Sequence, residues 1–247
     1  MSEQSEHSLK TRQSISLEDS EKALAENIIA TPSSSHLSSV QIEDPDVQAT
    51  IQPWLNIECY QLSHGAQLSQ VDSLNLGKQQ IVRETQVASV QKLGCMRDKL
   101  CTLSYCTPSP KSRFSQYGMD TDEKLFFMPE KTEFDIYVPA GAQTSYVCFN
   151  QDEFLNGAQA LNPKKWDSAL QQLTIVSSTK QQAIKEVMDR WFLISEKNRV
   201  EKLPVSPDLM NRMLLQEVLL ATTDVDFGYA KPSMIERNSA FILCQKI

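Results

Sequence analysis

Histidine is scarce in this chain, and its scarcity excludes more chemistry than any motif adds. Of 247 residues only His7, His36 and His64 are histidine. Two of them lie in the polar N-terminal stretch, and His64 falls in a turn signal, Ser63-His64-Gly65. No His-x-His pair exists, so a tight first-row metal site lacks its usual ligands, and no residue is assigned to a metal. A Ser-His-Asp or Cys-His arrangement would have to be built on His64 alone. Glycine is also sparse: there are seven, none in a Gly-x-Gly pair, so no glycine-rich phosphate loop is present. A Gly-x-Ser-x-Gly elbow is missing too. Asp120, Asp122 and Glu123 sit between strand patterns and read as a solvated turn rather than an acid/base pair. The sequence thus points to a non-catalytic protein and calls for no cofactor.

Long apolar runs are lacking as well. Runs such as Trp191 to Ile194 span four residues and the longest, Ala240 to Cys244, spans five, far short of the ~20 that a membrane helix needs. The first thirty residues hold acidic residues and serines where a secretory signal needs an apolar stretch. A soluble cytoplasmic protein without membrane partners is the expectation. The six cysteines (59, 95, 101, 106, 148, 244) show no disulfide logic and read as small buried hydrophobes. Cys95, Cys101 and Cys106 lie close enough in sequence for a thiol sensor, although their spacing fits no zinc pattern. With 24 basic against 31 acidic residues the net charge is −7, which repels a phosphate backbone.

What is present is a chain in three parts. Residues 1–48 are polar and serine-rich and cannot bury enough apolar surface to offset their ordering entropy. They are expected to be a disordered tail. From 49 to 150 the pattern is β. "IECYQL", "LSQVDSLNLG", "QQIVRETQVASV", "KLCTLSYCT", "EKLFFMP", "EFDIYVP" and "TSYVCF" are rich in strand formers and are separated by turn residues. In "EFDIYVP" the alternation places Phe134, Ile136 and Val138 inward. About seven short strands at such intervals indicate a sandwich or barrel.

Near residue 150 the apolar period changes from two to about three and a half. Asn150 with Glu153, Asn162-Pro163, Ser178 with Gln181, Ser206-Pro207 and Ser233 with Glu236 are helix-start signals. One helix carries Ile184, Val187, Met188, Trp191 and Ile194. The next carries Leu209, Met210, Met213, Leu214, Val218 and Leu220. Both stripes demand burial. Residues 151–230 are expected to form a helical dimerisation subdomain, with Leu209, Met213, Leu214 and Val218 as the seam. Residues 231–247 read as the start of a connector helix.

An interior lined by Leu, Val, Phe and Tyr can enclose one small ligand. Arg83, Tyr105 and Phe127 are the candidates to bind an effector, because an aromatic wall and one cation suit a small organic anion.

The stretch "IECYQLSHGAQLSQVDSLNLGKQQIVRET" resembles the opening of the sensor half of AraC/XylS-type transcription regulators, in particular the ethanolamine-operon-regulator group. The carrying residues are Gln61-Leu62-Ser63-His64-Gly65 and the pair Arg83-Glu84. "EFDIYVPAG" resembles the family's strand that ends at a Pro-x-Gly corner. The resemblance implies an α+β fold: an antiparallel, cupin-like β barrel over 49–150 that senses a small-molecule effector, followed by a C-terminal helical subdomain that forms a homodimer. It also implies a pair of helix-turn-helix units reading DNA, which would lie beyond Ile247. The chain is then the regulatory half of such a regulator. The alternatives are a metal-independent cupin enzyme acting on a small metabolite, which needs a polar cluster on the inner face, and a truncated regulator that inhibits full-length partners.

Overall fold

A computed structural model describes residues 36–107, 112–115, 117–118, 124–166, 173–201 and 206–228. The strands are β1 (His36–Ile42), β2 (Leu55–Gln61), β3 (Ser69–Asn75), β4 (Gln80–Gln86), β5 (Val90–Met96), β6 (Leu100–Cys106), β7 (Arg113–Phe114), β8 (Tyr117–Gly118), β9 (Lys124–Met128), β10 (Glu133–Val138), β11 (Gln143–Asn150), β12 (Thr174–Ser177) and β13 (Asp226–Gly228). The helices are α1 (Pro45–Thr50), α2 (Gln151–Leu161), α3 (Pro163–Trp166), α4 (Gln181–Glu201) and α5 (Pro207–Ala221).

The fold is α+β, with antiparallel sheets and C-terminal helices, but the sheets do not close into a barrel. One sheet has eight strands in the order β1-β3-β4-β11-β6-β9-β12-β13, and the other has five in the order β2-β5-β10-β7-β8. A barrel must join its first strand to its last. Here β1 and β13 end the large sheet, β2 and β8 end the small one, and no strand pairing joins the two sheets among the described residues. Of the two architectures the strand spacing allowed, the structure adopts the sandwich.

Two expectations about segment boundaries change. Residues 36–48, placed by sequence in the tail, are folded. β1 pairs with β3 along its whole length, from His36 opposite Asn75 to Ile42 opposite Ser69. A polar strand that could not stand alone satisfies its backbone on an existing sheet edge. Asp44 caps α1 by accepting the Asp46 N–H at 2.8 Å. The C-terminal part is also not wholly helical. β12 returns to the large sheet beside β9, and β13 follows it. Residues 231–247, including the Ser233 start signal, lie outside the described residues.

The large sheet is covered on both faces, and side-chain parity decides which face each residue serves. Leu103, Tyr105, Leu125, Phe127, Val147 and Phe149 face the helices, packing with Phe154, Ile184, Met188, Trp191, Leu214 and Val218. Val82, Phe126, Met128, Tyr146 and Cys148 face the small sheet, packing with Val90, Phe114 and Phe134. Helix starts follow the sequence: Asn150 Oδ1 accepts the Glu153 N–H at 3.0 Å, and Pro207 begins α5. The Pro139-Ala140-Gly141 corner is a tight turn in which the Ala142 N–H donates to the Pro139 carbonyl at 3.2 Å. Gly141 sits at its third position with φ of 84°, the left-handed value such a turn requires. Pro139 is therefore the first residue of the turn.

Candidate functional site

Between the two sheets lies a cavity of about 70 Å³ open to the centres of water-sized molecules. Its two walls differ. The small sheet contributes Ile57, Phe114, Phe134, Ile136 and Val138. The large sheet contributes Glu84 and Gln86 from β4, Thr102 and Ser104 from β6, and Tyr146 from β11. One wall is hydrocarbon and the other is polar. The exceptions on the small sheet are Lys92 on β5, which reaches across to the Glu84 carboxylate, Arg113 on β7 and Tyr137 on β10.

This ion pair is the centre of the site. The Lys92 and Glu84 side chains are only 6 % and 7 % exposed, so each charge relies on the other. Glu84 also accepts from the amide nitrogens of Gln48 and Gln52, the latter at 3.2 Å. Gln52 donates in addition to the Tyr146 hydroxyl at 3.0 Å. Ser69 donates to the Gln48 carbonyl at 3.3 Å. Trp54 lays an edge on Tyr146, with ring centroids 6.0 Å apart. Burial, then the nearby Glu84 charge, pushes the Tyr146 phenol well above its ordinary range, so it remains a neutral hydroxyl. Burial likewise pushes the Cys106 thiol, on the cavity wall, up to about 12.

Three polar atoms on this wall have no hydrogen-bond partner among the described residues: Gln52 Oε1, Gln86 Oε1 and Thr102 Oγ1. The two glutamine orientations follow from chemistry. A carboxylate and a backbone carbonyl only accept, so the Gln52 amide must present nitrogen to Glu84 and the Gln86 amide must present nitrogen to the Leu68 carbonyl. Each amide oxygen is left over. Buried polar atoms without partners are uncommon and call for an explanation.

Arg83, Tyr105 and Phe127 do not line this cavity. All three have the opposite parity and sit on the helix side of the large sheet. Arg83 pairs with Asp72 at 3.4 Å and Asp189 at 3.3 Å, and its guanidinium lies 4.7 Å from the Phe192 ring centre. Tyr105 belongs to the helix-side core, with Lys185 Nζ 5.6 Å from its ring centre. Phe127 packs against Phe154 and Trp166, each at 5.7 Å. The structure does not bring the three together as one wall.

The proposed seam divides. Leu214 and Val218 are fully buried against the large sheet, whereas Leu209 and Met213 are about half exposed. His64 is exposed in its turn. No group of three metal-ligating side chains occurs among the described residues. No helix among them is long and apolar enough to cross a membrane.

Sequence reading missed the polar cluster, although parity carried a signal for it. Glu84 shares its side of β4 with Val82, a core residue. Lys92 shares its side of β5 with Val90 and Met96, both buried. A charged residue in register with core positions on each of two strands marks a buried pair. Residues 91–96 lacked a strand assignment, which hid Lys92.

No family model matches the chain, and no curated protein matches it. Among solved structures, one described as the "Crystal structure of the AraC-like transcriptional activator CuxR" is similar, with a TM-score of 0.48 and 13 % identity over 85 % of this chain and 78 % of that one.

Proposed function

We propose that this chain is the effector-sensing, regulatory half of an AraC-type transcription regulator. A small molecule occupies the cavity between the sheets, and helices α4 and α5 present the outcome to a second copy of the chain. The observation that carries the sensing is a buried polar wall, neutralised internally by Glu84 and Lys92, that still holds polar atoms without partners. The stretch 57–85 that resembles the sensor halves of that family supplies most of β2, all of β3 and β4 through Thr85. Binding can shift the output only through a difference in affinity between two arrangements of the chain.

Catalysis is the second reading, and one observation favours it. A metal-independent enzyme needs a polar cluster on the inner face, and that cluster exists. Against it, the Glu84 carboxylate is already occupied by Lys92, Gln48 and Gln52, which suits holding the two amides in place rather than exchanging a proton.

Thermal unfolding across a panel of small metabolites, followed by chemical recovery of each stabilising compound, separates the readings. A ligand at a hundred times its Kd stabilises by about 2.7 kcal/mol. A compound that stabilises and returns unchanged supports sensing. A compound that returns converted transfers the site to enzymology. A panel that stabilises nothing removes the sensing reading.

A further inference from the structure

The chemistry of the walls restricts what the cavity accepts; this deepens the sensing reading and rests on it. We infer that the site takes a small uncharged polyol of roughly five to seven non-hydrogen atoms, rather than the organic anion that an arginine and an aromatic wall had suggested. The size follows from the ~70 Å³ of centre space and the ~10–15 Å³ that one water-sized group needs.

Charge comes first. Among the described residues the cations on the lining are Lys92 and Arg113. Lys92 is committed to Glu84, and Arg113 is committed to Asp135 at 2.7 Å. Among the described residues a bound anion would find no free counter-charge on the lining, and a bound cation would meet a carboxylate already shared by three donors. Burying an uncompensated charge is costly, so the site selects against both. Hydrogen bonding comes second. The partnerless atoms include two amide carbonyl oxygens, which can only accept, and the Thr102 hydroxyl. A ligand that satisfies them must bring donors, and at least two of them. Shape comes third. The apolar part of the opposite wall, Ile57, Phe134, Ile136 and Val138, suits the C–H face of the same molecule. A short polyol carries hydroxyl donors on one side and carbon on the other without charge.

Isothermal titration of the full chain with glycerol, 1,2-propanediol, propionate and n-propylammonium tests this. The expected result is saturable binding of a polyol and none of either ion. The isosteric Thr102→Val variant should then weaken the polyol about two- to tenfold, as loss of one hydrogen bond does. In Lys92→Met the Glu84 carboxylate loses its partner, and n-propylammonium should bind where it does not bind the native chain. Either ion binding the native chain as tightly as the polyols overturns the inference and leaves sensing intact. So does polyol binding that Thr102→Val leaves unchanged, or a folded Lys92→Met that still ignores the cation. If Lys92→Met fails to fold, the Thr102→Val comparison decides. Saturation by none of the four overturns the polyol assignment, and sensing falls with it only where the wider metabolite panel is also silent.

Discussion

Arg83 reaches the Asp189 carboxylate at 3.3 Å, while its neighbour Glu84 turns to the other side of the same strand and meets Lys92. Two consecutive residues of β4 thus connect α4 with the inter-sheet cavity. Strand parity makes this unavoidable: any shift of β4 at Glu84 displaces the Arg83 anchor. Replacing Asp189 by Asn should cost at most about 1 kcal/mol, since the pair is partly exposed. In hydrogen exchange, a cavity ligand should protect α4 in the native chain and protect it less in Asp189→Asn. Equal protection in both would separate α4 from the site.

The Glu84–Lys92 pair should show strong coupling. Lys92→Met strands a buried carboxylate and is expected to cost about 3–5 kcal/mol. Adding Glu84→Leu to it should recover most of that loss, because an apolar pair needs no compensation. Urea unfolding of both single variants and the double variant measures the coupling; additive losses would contradict the buried geometry.

Gly94 is held by space rather than by dihedral angle. A Cβ there would stand 2.3 Å from the Asn56 carbonyl oxygen and 2.7 Å from the Phe134 ring. Gly94→Ala should cost about 1–3 kcal/mol through overpacking and should disturb the cavity wall that Phe134 forms. An unchanged thermal midpoint would show that β2 and β10 give way easily.

The buried thiols set an alkaline limit. Burial raises Cys106 and Cys148 from 9.0 to about 12 in the folded chain. Above pH 9 the unfolded chain releases these protons while the folded chain keeps them. Stability is therefore full below that pH and falls as pH rises toward 12, by about 1.4 kcal/mol per pH unit for each thiol. Cys106→Ala and Cys148→Ala should flatten the slope of stability against pH. At pH 8 a thiol reagent should modify Cys95, only partly covered, well before either of them.

The exposed stripe of α5 separates assembly from folding. Leu209, Met213 and Leu220 share one side of the helix and remain exposed, and a second copy of the chain is their proposed cover. Leu209→Glu combined with Met213→Glu should yield a monomer by sedimentation equilibrium without lowering the monomer's own stability. Leu214→Ala, on the buried side, should cost about 2–5 kcal/mol in any assembly state. A native chain that sediments as a monomer removes the seam.

The sequence by itself determined where strands give way to helices, because period two and period three and a half are local properties of the chain. It also determined the Asn150 cap and the inward set Phe134, Ile136 and Val138, since caps and alternation need no distant partner. It could not place β1, whose polar residues form a strand only on the edge that β3 offers. Nor could it choose between sandwich and barrel, which depends on what the end strands find beside them. The site was the least legible part. Arg83, Tyr105 and Phe127 have the chemistry of a binding wall and the wrong parity for it. Glu84 and Lys92 look like ordinary surface charges until two sheets bring them together and exclude water. Burial and pairing are properties of the assembled sheets, and only the tertiary structure could turn those two charges into one neutral wall.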